Sequence, residues 1–176
     1  MPNWCFCKLH ACGDLTRFNK WLEEKEGFSF SAIHPMPKEL KESEPFNGNH
    51  PRRHEFKRKY GATDWYDWRV INWGTKWDID DVNIQECDPT MVSLHFSTAW
   101  SPPQMAIQSL AALFPELKFK LAYLEEGMGF VGYGTWENGE YLGGKHEDDA
   151  STDAWKRIAI DEFSWEPMEE NEEESQ

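Results

Sequence analysis

Hydrophobic and polar positions alternate from the start of the chain. Trp4, Phe6 and Lys8 fall on one side of residues 3–11, and Cys5, Cys7 and Leu9 on the other. Both sides are largely apolar, which places this strand centrally in a sheet covered on at least one face. Gly13-Asp14 turns the chain. Leu15, Phe18, Trp21 and Leu22 then recur at helical spacing, predicting an amphipathic helix over 14–25 that Gly27 stops. Residues 28–33 alternate with period two and predict a second strand, hence a βαβ-like opening.

From His34 to Gly61 the periodicity vanishes, and Pro35, Pro37, Pro45 and Pro51 punctuate the segment. A loop of that length is functional or disordered unless it holds short helices. Next, Asp64 or Thr63 caps and Gly74 closes a Trp-rich helix that is apolar nearly all round. Residues 75–84 read as extended and 91–100 as a strand. Ser101-Pro102-Pro103 is a hydroxyl cap followed by prolines, predicting a helix to Phe114. Strands follow at 117–123 and 128–136, and an Asn138-Gly139 hairpin turn returns the chain through 141–144. Residues 146–153 form a polar loop, and 154–163 an element of no assigned type.

This order predicts an α+β fold of ferredoxin-like sandwich type. Its sheet is mainly antiparallel, the helices 14–25 and 102–114 share one face, and residues 34–74 form a Trp-rich helical insertion. A single domain would span 1–165.

Charge changes the picture next. The net charge is −14, and the six glutamates between Glu166 and Gln176 account for much of it; without them it would be −8. That self-repelling run at 166–176 predicts a disordered acidic tail. Broad duplex nucleic-acid binding is disfavoured, because phosphate contacts need clustered Lys and Arg. The one basic cluster is Arg52, Arg53, Lys57, Arg58 and Lys59, expected to fold back on the protein's own carboxylates. No stretch approaches the ~20 apolar residues of a membrane span. No export signal stands at the N-terminus, so a cytoplasmic location is expected.

Candidate chemistry is sparse. Cys5 and Cys7 lie too close for a Cys-x-x-Cys knuckle and read as small buried hydrophobes. Six histidines are scattered, His50 and His54 alone suggesting a shared helix face; no metal and no cofactor is expected. No nucleophile elbow or phosphate-cradling Gly motif is present, so no catalytic residue is assigned. Asp80-Asp81 reads as solvated loop charge. The glycines from Gly127 to Gly144 fit a twisted hairpin against bulky rings.

The remaining constellation is aromatic. Trp65, Trp68, Arg69, Asn72, Lys76, Trp77 and Trp100 combine rings, two cations and an amide that either build a core or line a binding cleft. The core reading is favoured for most of the rings, Trp68 and Trp73 above all.

Several stretches resemble the YubB-like ferredoxin-like domain family of phages, plasmids and bacterial genomes. They are Met1-Pro2-Asn3-Trp4-Cys5, Trp65-Tyr66-Asp67-Trp68-Arg69, Asn72-Trp73-Gly74-Thr75-Lys76-Trp77-Asp78 and Thr98-Ala99-Trp100-Ser101-Pro102-Pro103. The resemblance covers about residues 1–145, and Cys7 stands where that family has Asn. It implies the fold and a mobile-element setting, and brings no catalytic residue. The expected function is a non-enzymatic accessory protein that binds a host protein with a basic surface in the bacterial cytoplasm, in an anti-defence role. The alternative is a module holding a nucleotide or second messenger in an aromatic cleft.

One consequence is testable. The chain should show no tight binding to generic duplex DNA near physiological salt. Nanomolar affinity in an anisotropy titration, abolished by changing Arg52, Arg53 and Arg58 to Ala, would overturn that expectation.

Overall fold

The computed structural model describes residues 3–43 and 52–165. The expected acidic tail, residues 44–51 of the insertion and His50 lie outside these. The elements run β1 (Trp4–Cys12), α1 (Thr16–Glu24), α2 (Phe30–Ile33), α3 (Lys38–Lys41), α4 (Arg53–Tyr60), α5 (Trp65–Trp73), β2 (Val82–Asp88) and β3 (Met91–Ala99). They continue with α6 (Gln104–Leu113), β4 (Lys118–Glu125), β5 (Phe130–Glu137), β6 (Glu140–Glu147) and α7 (Asp153–Phe163).

All six strands join one sheet in the order β2-β3-β1-β4-β5-β6, every pairing antiparallel. The first four neighbours, with α1 before β2 and α6 after β3, make the ferredoxin-like sandwich that the pattern predicts. The β5–β6 hairpin extends it. Its turn is the Asn138-Gly139 pair, both at positive φ (54° and 79°), as a tight hairpin requires. Gly144 has a steric reason: a Cβ there would come within 1.9 Å of the Tyr133 carbonyl oxygen.

Cys5, Cys7, Leu9 and Ala11 point from β1 into the helix layer and are buried. There they meet Phe18 of α1 and Ile107 and Leu110 of α6, so both helices cover one face. Phe18 stands edge-on to Phe114, 5.2 Å between centroids. α5 packs beside α6 in the same layer. Asp64 caps it as expected, its carboxylate accepting from the Tyr66 and Asp67 amides, and Gly74 closes it at φ 85°. Trp68 and Trp73 are buried, whereas Val70 and Ile71 are exposed, so α5 is sealed on one side rather than all round.

Three local expectations are corrected. Residues 28–33 are not a strand: Phe30–Ile33 is a helical turn. The Ser29 hydroxyl accepts from the Ala32 amide, and the distant Asp78 carboxylate accepts from the Phe30 and Ser31 amides. Phe30 and Ile33, three apart, then share a buried side. The opening is therefore no immediate βαβ unit; the strand after α1 is β2, far along the chain. Second, the extended stretch 75–84 becomes regular only at Val82. Third, Ser101 does not cap α6. Its hydroxyl donates to the Gly74 carbonyl at 2.7 Å, and the helix starts at Gln104 without a side-chain cap.

α7 covers part of the opposite face. Trp155, Ile158 and Ala159 pack on Leu124 and Val131 of β4 and β5, and Trp155 Nε1 donates to the Gly129 carbonyl.

Trp73 is 1% exposed, stands edge-on to Trp68 and tilted against Phe30, and donates Nε1–H to the His34 carbonyl. Trp73→Ala, and equally Trp68→Ala, should cost about 3–5 kcal/mol of unfolding free energy in urea titrations. Melting within a degree of the parent for both would show that the rings do not hold the core.

Candidate functional site

The uncovered part of the second sheet face is a groove. Because Cys5 and Cys7 face the helices, Trp4, Phe6 and Lys8 face away from them. Register sets Phe6 beside Ser97 and Lys8 beside His95, and Asn83 of β2 completes that row. α7 covers β4 and β5 but stops short of β3, so β1, β3 and β2 floor a concavity of about 600 Å³. Phe163 from the end of α7 forms one wall. The segment Trp77 to Asp81, leading into β2, forms the other. Trp4 and Phe6 are 43% and 46% exposed there, unusual for large rings in the middle of a sheet.

The groove's charges differ in how far they are committed. Asp78 is engaged: it accepts from the Phe30, Ser31 and Ile79 amides. Asp80 and Asp81 are exposed, and among the described residues their carboxylates make no ion pair or hydrogen bond. Lys8 donates to the Glu162 carbonyl at 2.9 Å and lies 5.2 Å from the Phe163 ring centroid. His95 Nε2 lies 2.9 Å from the Ser93 hydroxyl, and burial, with help from Lys8, lowers its pKa. The unspent charge at the rim is thus negative.

The sequence-predicted residues divide into three places. Trp68 is core, and Asn72 donates its side-chain amide to the Trp68 carbonyl. Trp65 and Arg69 form an internal pair: the Arg69 guanidinium lies 5.0 Å from the Trp65 and Trp73 ring centroids, and Nη1 donates to the Lys76 carbonyl. Burial pushes the Arg69 pKa down, and Asp78 opposes that shift. Lys76, Trp77 and Trp100 come together at the groove's end. Lys76 Nζ lies 4.9 Å from the Trp77 centroid and 4.8 Å from that of Trp100. Trp77 also meets Trp4, 6.1 Å away. Trp100 sits at φ 66°, a conformation that large side chains seldom adopt, and its amide donates to the Asn3 carbonyl.

Sequence reasoning missed Trp4, Phe6, Asp80, Asp81 and Phe163. One signal existed: Lys8 and His10 share the parity of Trp4 and Phe6, which marks that strand face as not sealed. Asp80 and Asp81 carried none, since adjacent loop carboxylates are common.

The basic cluster lies elsewhere. Arg52 pairs with Glu39 and Glu55, Lys59 with Glu39, and Lys57 approaches Asp67. A second depression of about 340 Å³ gathers Tyr123, Tyr133, Tyr141 and His146. Its Tyr123 is pushed up to about 12 by burial, aided by Tyr141, which keeps the phenol neutral and unsuited to act as a nucleophile near pH 7. Cys5, raised by hydrogen bonding with Cys7 and by burial, stays a neutral thiol.

With this geometry in view, comparisons with known proteins are informative about lineage. A family model described as the ferredoxin-like domain in Api92-like protein matches residues 72–175. The chain belongs to that family. The crystal structure of protein api92 from Yersinia pseudotuberculosis is similar, with a TM-score of 0.55 and 10% identity over 85% of this chain and 99% of that one. Such a likeness speaks for the fold alone. No curated protein matches. These findings agree with the resemblance to the YubB-like phage and plasmid proteins. No helix among the described residues is long and apolar enough to cross a membrane.

His10, next to the groove under α7, has its pKa lowered by burial first and then by Lys120; Glu162 opposes, while His95 and Lys8 add to the lowering. The unfolded chain therefore takes up this proton more readily than the folded one. Stability from this group is present above the ordinary histidine value of about 6.5 and is lost as pH falls below it. A His10→Gln/His95→Gln variant should show a flatter fall in urea midpoint on acidification from about pH 7.5 to about pH 5.5. A slope equal to the parent's would exclude these histidines as its source.

Proposed function

We propose that the protein is a non-enzymatic binding module that docks a partner protein with a basic surface on the open face of its sheet. The observation that carries this reading is the half-exposed pair Trp4 and Phe6 flooring the groove beside the exposed Asp80 and Asp81, which have no ion pair among the described residues. Exposed rings supply contact area at small entropic cost, and a surrounding negative field speeds encounter with a cationic partner. Trp77 and Trp100 extend that surface. In the phage and plasmid setting of the family, the partner would be a host protein, and the effect anti-defence. The nucleotide reading loses support from the site itself: Arg69 and Lys76 already lie against the protein's own rings, and the free rim charge repels phosphate.

Pull-down from bacterial lysate, at low and high salt, tests this with the parent and a Trp4→Ala/Phe6→Ala variant. Both side chains are about half-buried, so the variant should lose about 2–4 kcal/mol of stability, and its folding is checked by a urea titration beside the pull-down. A partner retained by the parent, weakened by salt and lost by the variant is the expected result. Equal capture by both proteins, or a melting-temperature rise with nucleotides instead, would refute the reading.

A further inference from the structure

We infer that the groove receives an arginine-bearing segment of the partner, with a guanidinium group against the Trp4 and Phe6 rings and paired to Asp80 and Asp81. This rests on the docking role proposed above and names the chemistry of its occupant.

Three features of the groove converge on a planar cation. The floor offers two half-exposed aromatic rings, and the quadrupole of a ring face attracts a cation. The rim offers two carboxylates that no residue of the described chain neutralises, while Asp78, beside them, is consumed by amide hydrogen bonds. The cations near the groove are already placed: Lys8 on the Glu162 carbonyl and the Phe163 ring, and Lys76 over Trp77 and Trp100. Among the described residues Lys8 is the one Lys or Arg lining the groove, held against Glu162 and Phe163 at one wall, so an anionic occupant would meet two exposed carboxylates against a single tethered cation. Lys76 shows how this aromatic wall treats a cation from its own chain.

Guanidinium fits better than ammonium for two reasons. It is planar and weakly hydrated, so it loses little on stacking against a ring, and its forked donors match a carboxylate with two hydrogen bonds. The space of about 600 Å³ exceeds one side chain, which is why a segment rather than a free amino acid is expected.

The rival macromolecule is single-stranded RNA, whose bases stack on exposed aromatics of open sheets. Phosphates would then have to run past Asp80 and Asp81 on a chain of net charge −14. The charge decides against it.

The test titrates the full chain, followed by tryptophan fluorescence and calorimetry, with an end-capped Gly-Ser-Arg-Gly-Ser-Arg peptide. Comparison probes are the same peptide with citrulline for arginine and a short poly-uridine oligonucleotide. Binding of the arginine peptide should weaken about tenfold or more with citrulline, with Phe6→Ala, and with Asp80→Asn/Asp81→Asn. The last variant alters only exposed groups, and an unchanged melting temperature would confirm that it folds. Arginine binding indifferent to both variants overturns the inference. So does absence of arginine binding while the pulled-down partner is still lost on Trp4→Ala/Phe6→Ala; the docking role then survives alone. Binding of the oligonucleotide that Phe6→Ala abolishes overturns both.

Discussion

The groove depends on a clasp between two distant turns. The buried Thr75 hydroxyl donates to the Ala99 carbonyl at 2.9 Å, and the Ser101 hydroxyl donates to the Gly74 carbonyl. Gly74 sits at φ 85°, and a Cβ there would approach the Pro102 carbonyl to 3.1 Å, so the two backbones meet where only glycine fits well. This joint ties the end of α5 to the end of β3. It also aims the next residues: Lys76 and Trp77 toward Trp100, and Asp78 back to the start of α2. Together with the Asp78 bonds to α2 and the Trp77–Trp4 contact, it holds the Trp77–Asp81 wall over the sheet.

The second constraint is unequal cover. One face of the sheet is sealed by α1, α5 and α6 around a dense set of rings. Among the described residues the other carries α7 alone, which lies across β4 and β5, reaches β1 at Lys8, and leaves Trp4 and Phe6 of β1 and the facing part of β3 open. A sheet face left open normally turns polar. Here Trp4 and Phe6 remain on it, at a cost in exposed apolar area that folding alone does not require. Apolar groups retained on an open surface, rimmed by polar ones, are the mark of an interaction site.

Electrostatics then separates what is structural from what is available. Arg69 and Lys76 are turned onto the protein's own rings, and Arg52, Lys57 and Lys59 onto its carboxylates. Among the described residues, Asp80 and Asp81 at the groove's rim meet no such partner. A chain with many more acidic than basic residues cannot pair all its negative charges, and those left over define the field a partner meets.

Local pattern was enough for β1, α1, β3, α6, β4 and the Asn138-Gly139 hairpin, because each has an uninterrupted period or a strong turn signal. The Asp64 cap and Gly74 stop of α5 were legible for the same reason. Residues 28–33 were not: six alternating positions fit a strand, but also a single helical turn, and the Asp78 carboxylate that favours the turn lies 48 residues away in sequence. The sequence by itself therefore determined most strands and helices of the sandwich, Trp68 and Trp73 as core rings, and the acidity, which follow from short-range periodicity and composition; the strand that follows α1 was decided by the fold. Only the tertiary structure decided which aromatic residues stay exposed. Exposure of Trp4 and Phe6 depends on where α7 ends and where the clasp holds Trp77, and no local period encodes the length of sheet a helix leaves uncovered.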